Sequence, residues 1–138
     1  LNTDEVAEPN AFAMTATLTA FNESAPWLEE LRAYLADNKA EARAMIDEYN
    51  DSAAPERRIT LIESHATYLL WVDCSKLTHD TALLCEHLKR NHRVMFSEGA
   101  EYGGNGRDFI RINVACPRST MREGFNRLFA GLCVFSAD

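Results

Sequence analysis

The part of the sequence best suited to chemistry is Arg111, in the middle of the strand-like segment DFIRINVA at residues 108–115. Alternation along a strand places Phe109, Arg111 and Asn113 on one face. The opposite, apolar face is formed by Ile110, Ile112 and Val114. Charged side chains seldom occupy such strands without a partner. We interpret Arg111 either as a surface residue, which the pattern alone favours, or as a rigid guanidinium at a cleft wall that binds a carboxylate.

A glycine-rich stretch, GAEYGGNG at residues 99–106, precedes that strand. Phosphate-binding loops follow a strand and place their backbone N–H groups at the start of a helix. Here Gly103, Gly104 and Gly106 lead into a strand instead. We therefore predict a tight turn or a hinge rather than a phosphate site.

The cysteines and histidines do not show the paired spacing of a zinc site. Cys74 precedes His79 and Cys85 precedes His87, but neither pair is repeated. We predict no metal site, and we interpret these residues as core cysteines and surface histidines. The chain also lacks a Gly-x-Ser-x-Gly motif, and no catalytic Cys–His arrangement follows from the spacing.

Composition limits the classes of function that the chain can have. Its 138 residues are 46% hydrophobic and 25% charged, with a net charge of -7, as in one ordinary globular domain. The acidic balance disfavours nucleic acid and anionic membranes as partners. We find no apolar run of roughly 20 residues and no signal peptide. Four scattered cysteines favour free thiols in a reducing compartment, so we expect a cytoplasmic protein.

Helical patterns occupy much of the chain, after a polar lead-in at residues 1–9 that we expect to be flexible. A short helix is predicted at residues 10–21, and a long amphipathic helix at 26–49 after the start signals Ser24 and Pro26. A third helix, over 78–91, is capped by Thr78 or Asp80. The last, over 120–135, starts with a Thr120–Glu123 capping box. Its predicted apolar stripe comprises Met121, Phe125, Leu128 and Leu132.

Four strands are predicted between these helices, at residues 58–62, 67–75, 93–96 and 108–115. Short strands with helices between and around them indicate a small, mostly antiparallel sheet covered by helices. The predicted fold class is therefore α+β.

Two quoted segments and the closing amphipathic helix resemble the C-terminal part of fold type I pyridoxal-phosphate-dependent aminotransferases. The segments are ATYLLWVDCS and SEGAEYGGNGRDFIRINVACPR. They are most similar to the branch that contains the cystathionine β-lyases, which are C–S lyases. NAFAMTATLTAFNESAPWLEELRAYLADN resembles the segment that precedes this domain in the same branch. The resemblance implies that residues 10–138 form the small C-terminal domain, with 26–49 as its long connecting helix.

In that family the arginine of the FIR-x-N strand binds the substrate α-carboxylate, and the resemblance gives this role to Arg111. It implies that Asn113 braces the strand or loop and that Arg118 is structural. The sequence also departs from the family pattern. Tyr102 replaces a common phenylalanine and Ala66 a common glycine, while Arg107 and Asp108 replace small residues.

The family's Schiff-base lysine, phosphate cup and other cofactor-binding residues belong to a larger upstream domain, which this chain lacks. Its lysines are Lys39, Lys76 and Lys89, and none matches the family's lysine motif. We therefore expect no catalytic and no cofactor-binding residue here, no pyridoxal phosphate bound to this chain, and no activity by itself.

The resemblance implies that the parent is a cytoplasmic homodimeric lyase that uses pyridoxal phosphate. It would catalyse β-elimination from cystathionine or a similar sulfur amino acid. Two alternatives stay open: part of a class I/II aminotransferase, or a stand-alone, non-catalytic domain that binds carboxylates or proteins.

Overall fold

The computed structural model describes residues 10–136, so the predicted lead-in at 1–9 lies outside them. The elements, in chain order, are α1 (Ala11–Glu23), α2 (Ala25–Ser52), β1 (Thr60–Leu61), β2 (Leu69–Asp73), α3 (Thr81–His92), β3 (Ser97–Glu98), β4 (Phe109–Asn113) and α4 (Arg118–Val134). This order confirms the predicted alternation of helices and strands. Within residues 10–136, no helix is both long and apolar enough to cross a membrane.

The described residues divide into two compact units, and the division falls between Tyr34 and Leu35, within α2. In the first unit, the Asn10 side chain caps α1 by accepting a hydrogen bond from the backbone N–H of Ala13 at 2.8 Å. Thr15 and Thr17 donate their hydroxyl hydrogens to carbonyl groups one turn earlier. These bonds satisfy the hydroxyl groups of the threonines that weaken the helical pattern.

The second unit contains a four-stranded sheet in the order β1-β2-β4-β3, and every pair is antiparallel. Arg111 lies in the central strand β4. Its partners in register are Trp71 on β2 and Ser97 on β3. The mostly antiparallel sheet that the sequence predicts is therefore confirmed.

One face of the sheet, carrying Leu70, Val72, Ile110 and Ile112, is buried in the core. The helices contribute to the same cluster through Ala42 and Ile46 of α2, Leu84 and Leu88 of α3, and Met121, Phe125, Leu128 and Leu132 of α4. The predicted stripe of α4 is thus confirmed. Full burial of one such side chain contributes about 1.5–3 kcal/mol.

The other face of the sheet, which we call the open face, carries Trp71, Phe109, Arg111 and Asn113. Phe109 is 9% exposed, Trp71 and Arg111 are half-buried and Asn113 is exposed. The predicted alternation of β4 is therefore confirmed, because its two faces have different environments.

The strand predicted at 93–96 is wrong, since β3 is formed by Ser97–Glu98. Arg93 adopts the left-handed conformation, with φ of 53°, and its N–H donates to the Leu88 carbonyl oxygen. The N–H of Val94 donates to the same oxygen at 3.4 Å. These residues therefore close α3 before the chain can pair with β4.

Two predicted helix starts can also be compared with the structure. Asp80 is the N-cap of α3, because its carboxylate accepts the Leu83 N–H at 3.3 Å. The Thr120–Glu123 capping box is wrong. Pro117 occupies the N-cap position of α4 without a side-chain bond, so Thr120 lies inside the first turn. Pro117 has the extended backbone of a residue outside the helix, with φ of -53° and ψ of 139°, and the helix starts directly after it, earlier than the box suggests.

Candidate functional site

The candidate site is the guanidinium group of Arg111 and the side chains around it on the open face. Arg111 is half-buried, and its Nη2 donates a hydrogen bond to the Ser97 hydroxyl oxygen at 3.3 Å. Its Cζ lies 4.6 Å from the centre of the Tyr102 ring, which is within cation–π distance. The group therefore has one hydroxyl and one aromatic neighbour.

Aromatic rings surround this position. Trp71 stacks on Phe109 with ring centres 5.2 Å apart and planes 13° apart. It also meets Tyr102 edge-on, at 5.8 Å and 81°. Trp71 thus joins the two rings that flank the arginine. We call Trp71, Tyr102, Phe109 and Arg111 the aromatic–arginine cluster.

Arg111 takes part in none of the ion pairs found among residues 10–136. A guanidinium group carries five N–H donors in a planar fork, and Ser97 accepts from one nitrogen only. The structural carboxylate that could have explained a charged residue in this strand is therefore absent from this part of the chain. The arrangement is chemically suited to an external carboxylate, which such a fork can bind bidentately.

The glycine-rich stretch forms two 3₁₀ turns, Gly99–Tyr102 and Gly106–Asp108, and leads into β4. Gly103 and Gly104 have φ of 77° and 57°, a region that favours glycine. This geometry confirms the predicted tight turn. A Cβ atom on Gly106 would lie 2.0 Å from the Gly99 carbonyl oxygen, so the two turns touch through their backbones.

Arg107 and Asp108, two of the departures from the family pattern, connect this loop to the segment before α3. The Arg107 Nε donates to the His79 carbonyl oxygen at 2.7 Å. The Asp108 carboxylate lies 2.9 Å from the His79 Nδ1. Both residues therefore hold the loop against the segment before α3.

The other predicted residues have structural surroundings. Asn113 is exposed, and its Oδ1 accepts the Ala115 N–H at 2.8 Å, which braces the end of β4. Arg118 donates to the Asn38 Oδ1 at 3.2 Å, and its guanidinium lies 3.5 Å from the Glu41 carboxylate. Both arrangements agree with the roles expected of Asn113 and Arg118.

None of the four cysteines forms a disulfide bond, and no group of three potential metal ligands occurs within residues 10–136. Cys74 is buried and Cys85 is half-buried, whereas Cys133 is exposed. Burial raises the pKa of the Cys85 thiol to about 12, and the Glu98 and Glu101 carboxylates add to this effect. Because only a thiolate is a good nucleophile or ligand, Cys85 is unsuited to either role.

The lysines do not fit a pyridoxal phosphate site. The Lys39 ammonium donates to backbone carbonyl oxygens, most closely to that of Ser64 at 2.6 Å. Lys76 and Lys89 are exposed. A cofactor aldehyde requires an amine in an enclosed site, and none of these three amines has such surroundings.

Comparison with known proteins identifies the family. The sequence profile for aminotransferase class I and II matches residues 6–128. The chain belongs to this family. Protein MalY of Escherichia coli strain K12 is 36% identical over 121 residues, which cover 88% of this chain and 30% of MalY. Cystathionine beta-lyase PatB of Bacillus subtilis strain 168 is 32% identical, over 89% of this chain and 30% of PatB.

Solved structures of the family have the same fold. The crystal structure of a PLP-bound putative aminotransferase from Clostridium difficile 630 matches with a TM-score of 0.83 and 32% identity. The match covers 94% of this chain and 32% of that one. These comparisons confirm the α+β fold and the predicted relationship to the aminotransferase and cystathionine β-lyase group. The chain spans about a third of the length of the proteins that it matches.

Sequence reasoning proposed Arg111 as a site residue but did not predict Ser97 and Trp71 beside it, or Asn38 beyond the end of β4. Trp71 alternates with two buried residues in β2, and this pattern could have placed it on the open face. The pairing of Ser97 with Arg111 depends on strand register. Asn38, buried in α2, binds carbonyl groups beyond the end of β4 and carries no local signal.

Proposed function

We propose that this chain is the C-terminal small domain of a pyridoxal-phosphate-dependent C–S lyase, and that Arg111 binds the α-carboxylate of its substrate. The observation that carries the proposal is the guanidinium of Arg111, which has no carboxylate partner within residues 10–136 and lies on the open face. The family relationship and the similarity to PatB, a cystathionine beta-lyase, support it. The substrate class is then a sulfur amino acid such as cystathionine, and the reaction is β-elimination.

Arg111 contributes binding and orientation to this reaction. A bidentate pair between its planar fork and a carboxylate fixes two atoms of the substrate at once. The amino acid is thereby oriented for removal of its Cα proton, which lowers the entropic part of the barrier. Half-burial among aromatic rings strengthens the pair, because the surrounding dielectric is lower than that of water.

The remaining catalytic parts belong to the missing large domain. Pyridoxal phosphate, bound there, supplies the electron sink. We propose that the present chain binds no cofactor and is inactive by itself, because Lys39, Lys76 and Lys89 lack the required surroundings. The small domain then closes on bound substrate in the parent protein. We also propose that the parent is a cytoplasmic homodimer, in line with the scattered cysteines, none of which forms a disulfide bond, and with the family resemblance.

Exposed apolar residues favour one domain of a larger enzyme over a stand-alone binding module. No residue of α1 is buried, and Phe12 and Phe21 are 87% and 88% exposed. Met14, Leu18 and Phe21 share one side of α1 and are all exposed, and soluble monomers rarely expose a large contiguous apolar patch. The occupant we propose for α1 is the large domain of the parent. The purified chain alone is then expected to self-associate in multi-angle light scattering, whereas a stable monomer supports a binding module.

An aminotransferase is the second candidate, because the matching family includes these enzymes and the similar C. difficile structure is named a putative aminotransferase. Both reactions need an oriented α-carboxylate, so both use Arg111. The residues that separate elimination from transamination lie outside this chain.

The test uses the complete gene product with pyridoxal phosphate and L-cystathionine. Thiol release is compared among the wild type, Arg111→Ala, Arg111→Lys and the control Arg43→Ala, which removes an exposed arginine of α2. Loss of one partner of a desolvated charge pair costs about 2–5 kcal/mol, so kcat/KM should fall at least about 30-fold in Arg111→Ala. Arg111→Lys keeps the charge but not the fork, and should recover only part of this loss.

The outcomes separate the alternatives. No thiol, with 2-oxo-acid formation from an amino donor, identifies an aminotransferase. Equal thiol release by the wild type and Arg111→Ala would show that Arg111 does not bind the substrate carboxylate and is a surface residue. If neither product forms with any donor, the stand-alone binding module is favoured.

A further inference from the structure

We propose that Ser97 and Tyr102 are positioning residues, which hold the Arg111 guanidinium in one orientation ready for a carboxylate. This inference rests on the carboxylate-binding role proposed above for Arg111. It adds the residues on which that role depends, and it explains why the loop before β4 is rich in glycine.

The first positioning contact comes from the edge of the sheet. β3 is only two residues long, and its Ser97 lies directly opposite Arg111 in the β3–β4 register. The hydroxyl oxygen accepts a hydrogen bond from the Arg111 Nη2 at 3.3 Å. The strand pairing therefore brings one acceptor to one end of the fork.

The second contact comes from the loop. The Tyr102 ring lies under the guanidinium, with the Cζ of Arg111 4.6 Å from the ring centre. Trp71 meets the same ring edge-on, so the ring itself has a lateral support. A cation is attracted to an aromatic face, and this contact restricts the plane that the flat guanidinium can adopt.

Two glycines place Tyr102 at this position. Gly99 and Gly106 approach so closely that a Cβ on either would lie about 2 Å from the other's carbonyl oxygen. A Cβ on Gly99 would also lie 2.8 Å from the Trp71 ring. Tyr102 ends the 3₁₀ turn that Gly99 begins. The glycine loop thus places the Tyr102 ring in contact with the Arg111 guanidinium.

The Arg111 guanidinium is therefore held in one orientation, while most of its N–H donors are available to a ligand. One N–H donates to Ser97, and the other four have no acceptor within residues 10–136. Long arginine side chains ordinarily lose rotamer freedom when they bind a ligand. Here the ring and the hydroxyl restrict that freedom in advance, which increases the affinity for a carboxylate.

A first experiment tests the geometry on this 138-residue chain without any cofactor. The Arg111 Nε–Hε NMR signal should be shifted upfield by the tyrosine ring current in the wild type and in Tyr102→Phe. It should lose this shift in Tyr102→Leu. The control is Tyr68→Leu, because Tyr68 is 44% exposed and Tyr102 is 48% exposed. An Arg111 signal that is the same in Tyr102→Leu and the wild type overturns the proposal.

A second experiment uses the complete gene product with pyridoxal phosphate and L-cystathionine. In Tyr102→Leu and Ser97→Ala, KM should rise about two- to five-fold, with kcat within about two-fold of wild type. Tyr102→Phe and Ser97→Thr keep the ring and the hydroxyl, and should restore the wild-type KM. An unchanged KM in both Tyr102→Leu and Ser97→Ala overturns the positioning role.

The two levels of the proposal fail differently. If Arg111→Ala raises KM while Tyr102→Leu and Ser97→Ala do not, Arg111 binds the carboxylate unaided and only the positioning role is lost. If Arg111→Ala leaves KM unchanged, the proposed function is lost, and with it the purpose of the positioning contacts, even where the NMR shift is present.

Discussion

Asn38 of α2 donates a hydrogen bond from its Nδ2 to the carbonyl oxygen of Val114, 76 residues later in the chain, at 2.9 Å. The same amide also donates to the Cys116 carbonyl oxygen at 3.2 Å, and its Oδ1 accepts from Arg118. Asn38 is 0% exposed, and these hydrogen bonds satisfy its polar groups within the protein. This side chain fixes the segment that directly follows β4, the strand that carries Arg111.

Replacement of Asn38 by leucine should destabilise the chain strongly. The carbonyl groups of Val114 and Cys116 would each lose a donor in a place that water reaches poorly. The expected loss in free energy of unfolding is about 2–4 kcal/mol, measured by urea denaturation. The control Asn91→Leu changes an exposed asparagine of α3 and should stay within about 0.5 kcal/mol of wild type. Equal stability of the two variants would contradict the role of Asn38.

Local patterns predicted the faces of the elements but not the contacts between them. The period of two in β4 separated Arg111 from Ile110 and Ile112, because a strand buried on one side must alternate. The stripe of α4 was predicted for the same reason, with a helical period. By contrast, the pairing of Ser97 with Arg111 depends on long-range register, for which the sequence carries no local signal.

The errors in element boundaries have local causes in the backbone, which the residue types did not indicate. Residues 93–96 look like a strand, since three of the four are apolar and one of these is the β-branched Val94. Arg93 nevertheless adopts a left-handed conformation that a non-glycine residue rarely takes, and it ends α3 there. Pro117 likewise began α4 earlier than the Thr120–Glu123 pattern indicated.

Gly106→Ala should damage the loop that carries Tyr102. The new Cβ would lie 2.0 Å from the Gly99 carbonyl oxygen, and backbone cannot move aside as a flexible side chain can. We expect a loss of about 1–3 kcal/mol in unfolding free energy, and a changed Arg111 Nε–Hε signal. The control is Gly124→Ala in α4, where a Cβ meets nothing within 4 Å. That variant should gain about 0.5–1 kcal/mol, because alanine favours a helix. A stabilised Gly106→Ala would show that the two turns do not touch.

Arg57 and Arg58 are adjacent but should differ in their effect on stability. The Nη1 of Arg57 donates to the carbonyl oxygens of Leu132 and Phe135, where α4 ends. A cation at a helix C-terminus satisfies carbonyl groups and complements the helix dipole. Arg57→Ala should therefore cost about 1–3 kcal/mol in urea denaturation. Arg58 is exposed, and Arg58→Ala should change stability by less than about 0.5 kcal/mol. Similar losses in both would mean that the end of α4 does not depend on Arg57.

The cysteines should react with a thiol reagent in the order of their exposure. At pH 8, Cys133 should react first, since it is exposed on α4. Burial raises the pKa of Cys85 to about 12 and that of the buried Cys74 well above its ordinary value, so both should react only after unfolding. Cys133→Ser should remove the fast phase in an Ellman assay. A fast phase that persists in this variant would contradict the order.

Glu41 of α2 should titrate below its ordinary range because of a hydrogen bond from Arg122 of α4. This bond lowers the pKa of Glu41 from 4.5; burial opposes the shift, and the charges of Arg122 and Arg118 add to it. A lowered pKa in the folded state stabilises the fold above about pH 4.5, and this contribution is lost as pH falls through the folded pKa. In ¹³C NMR titration, the midpoint of Glu41 should lie below 4.5 in the wild type and rise in Arg122→Ala. Arg90→Ala removes the Arg90–Glu86 pair within α3 and should leave the Glu41 midpoint unchanged.

The stability difference between wild type and Arg122→Ala should therefore be present at pH 7 and shrink below the folded pKa of Glu41. A difference that is constant with pH would show that Arg122 acts through packing rather than through the charge of Glu41.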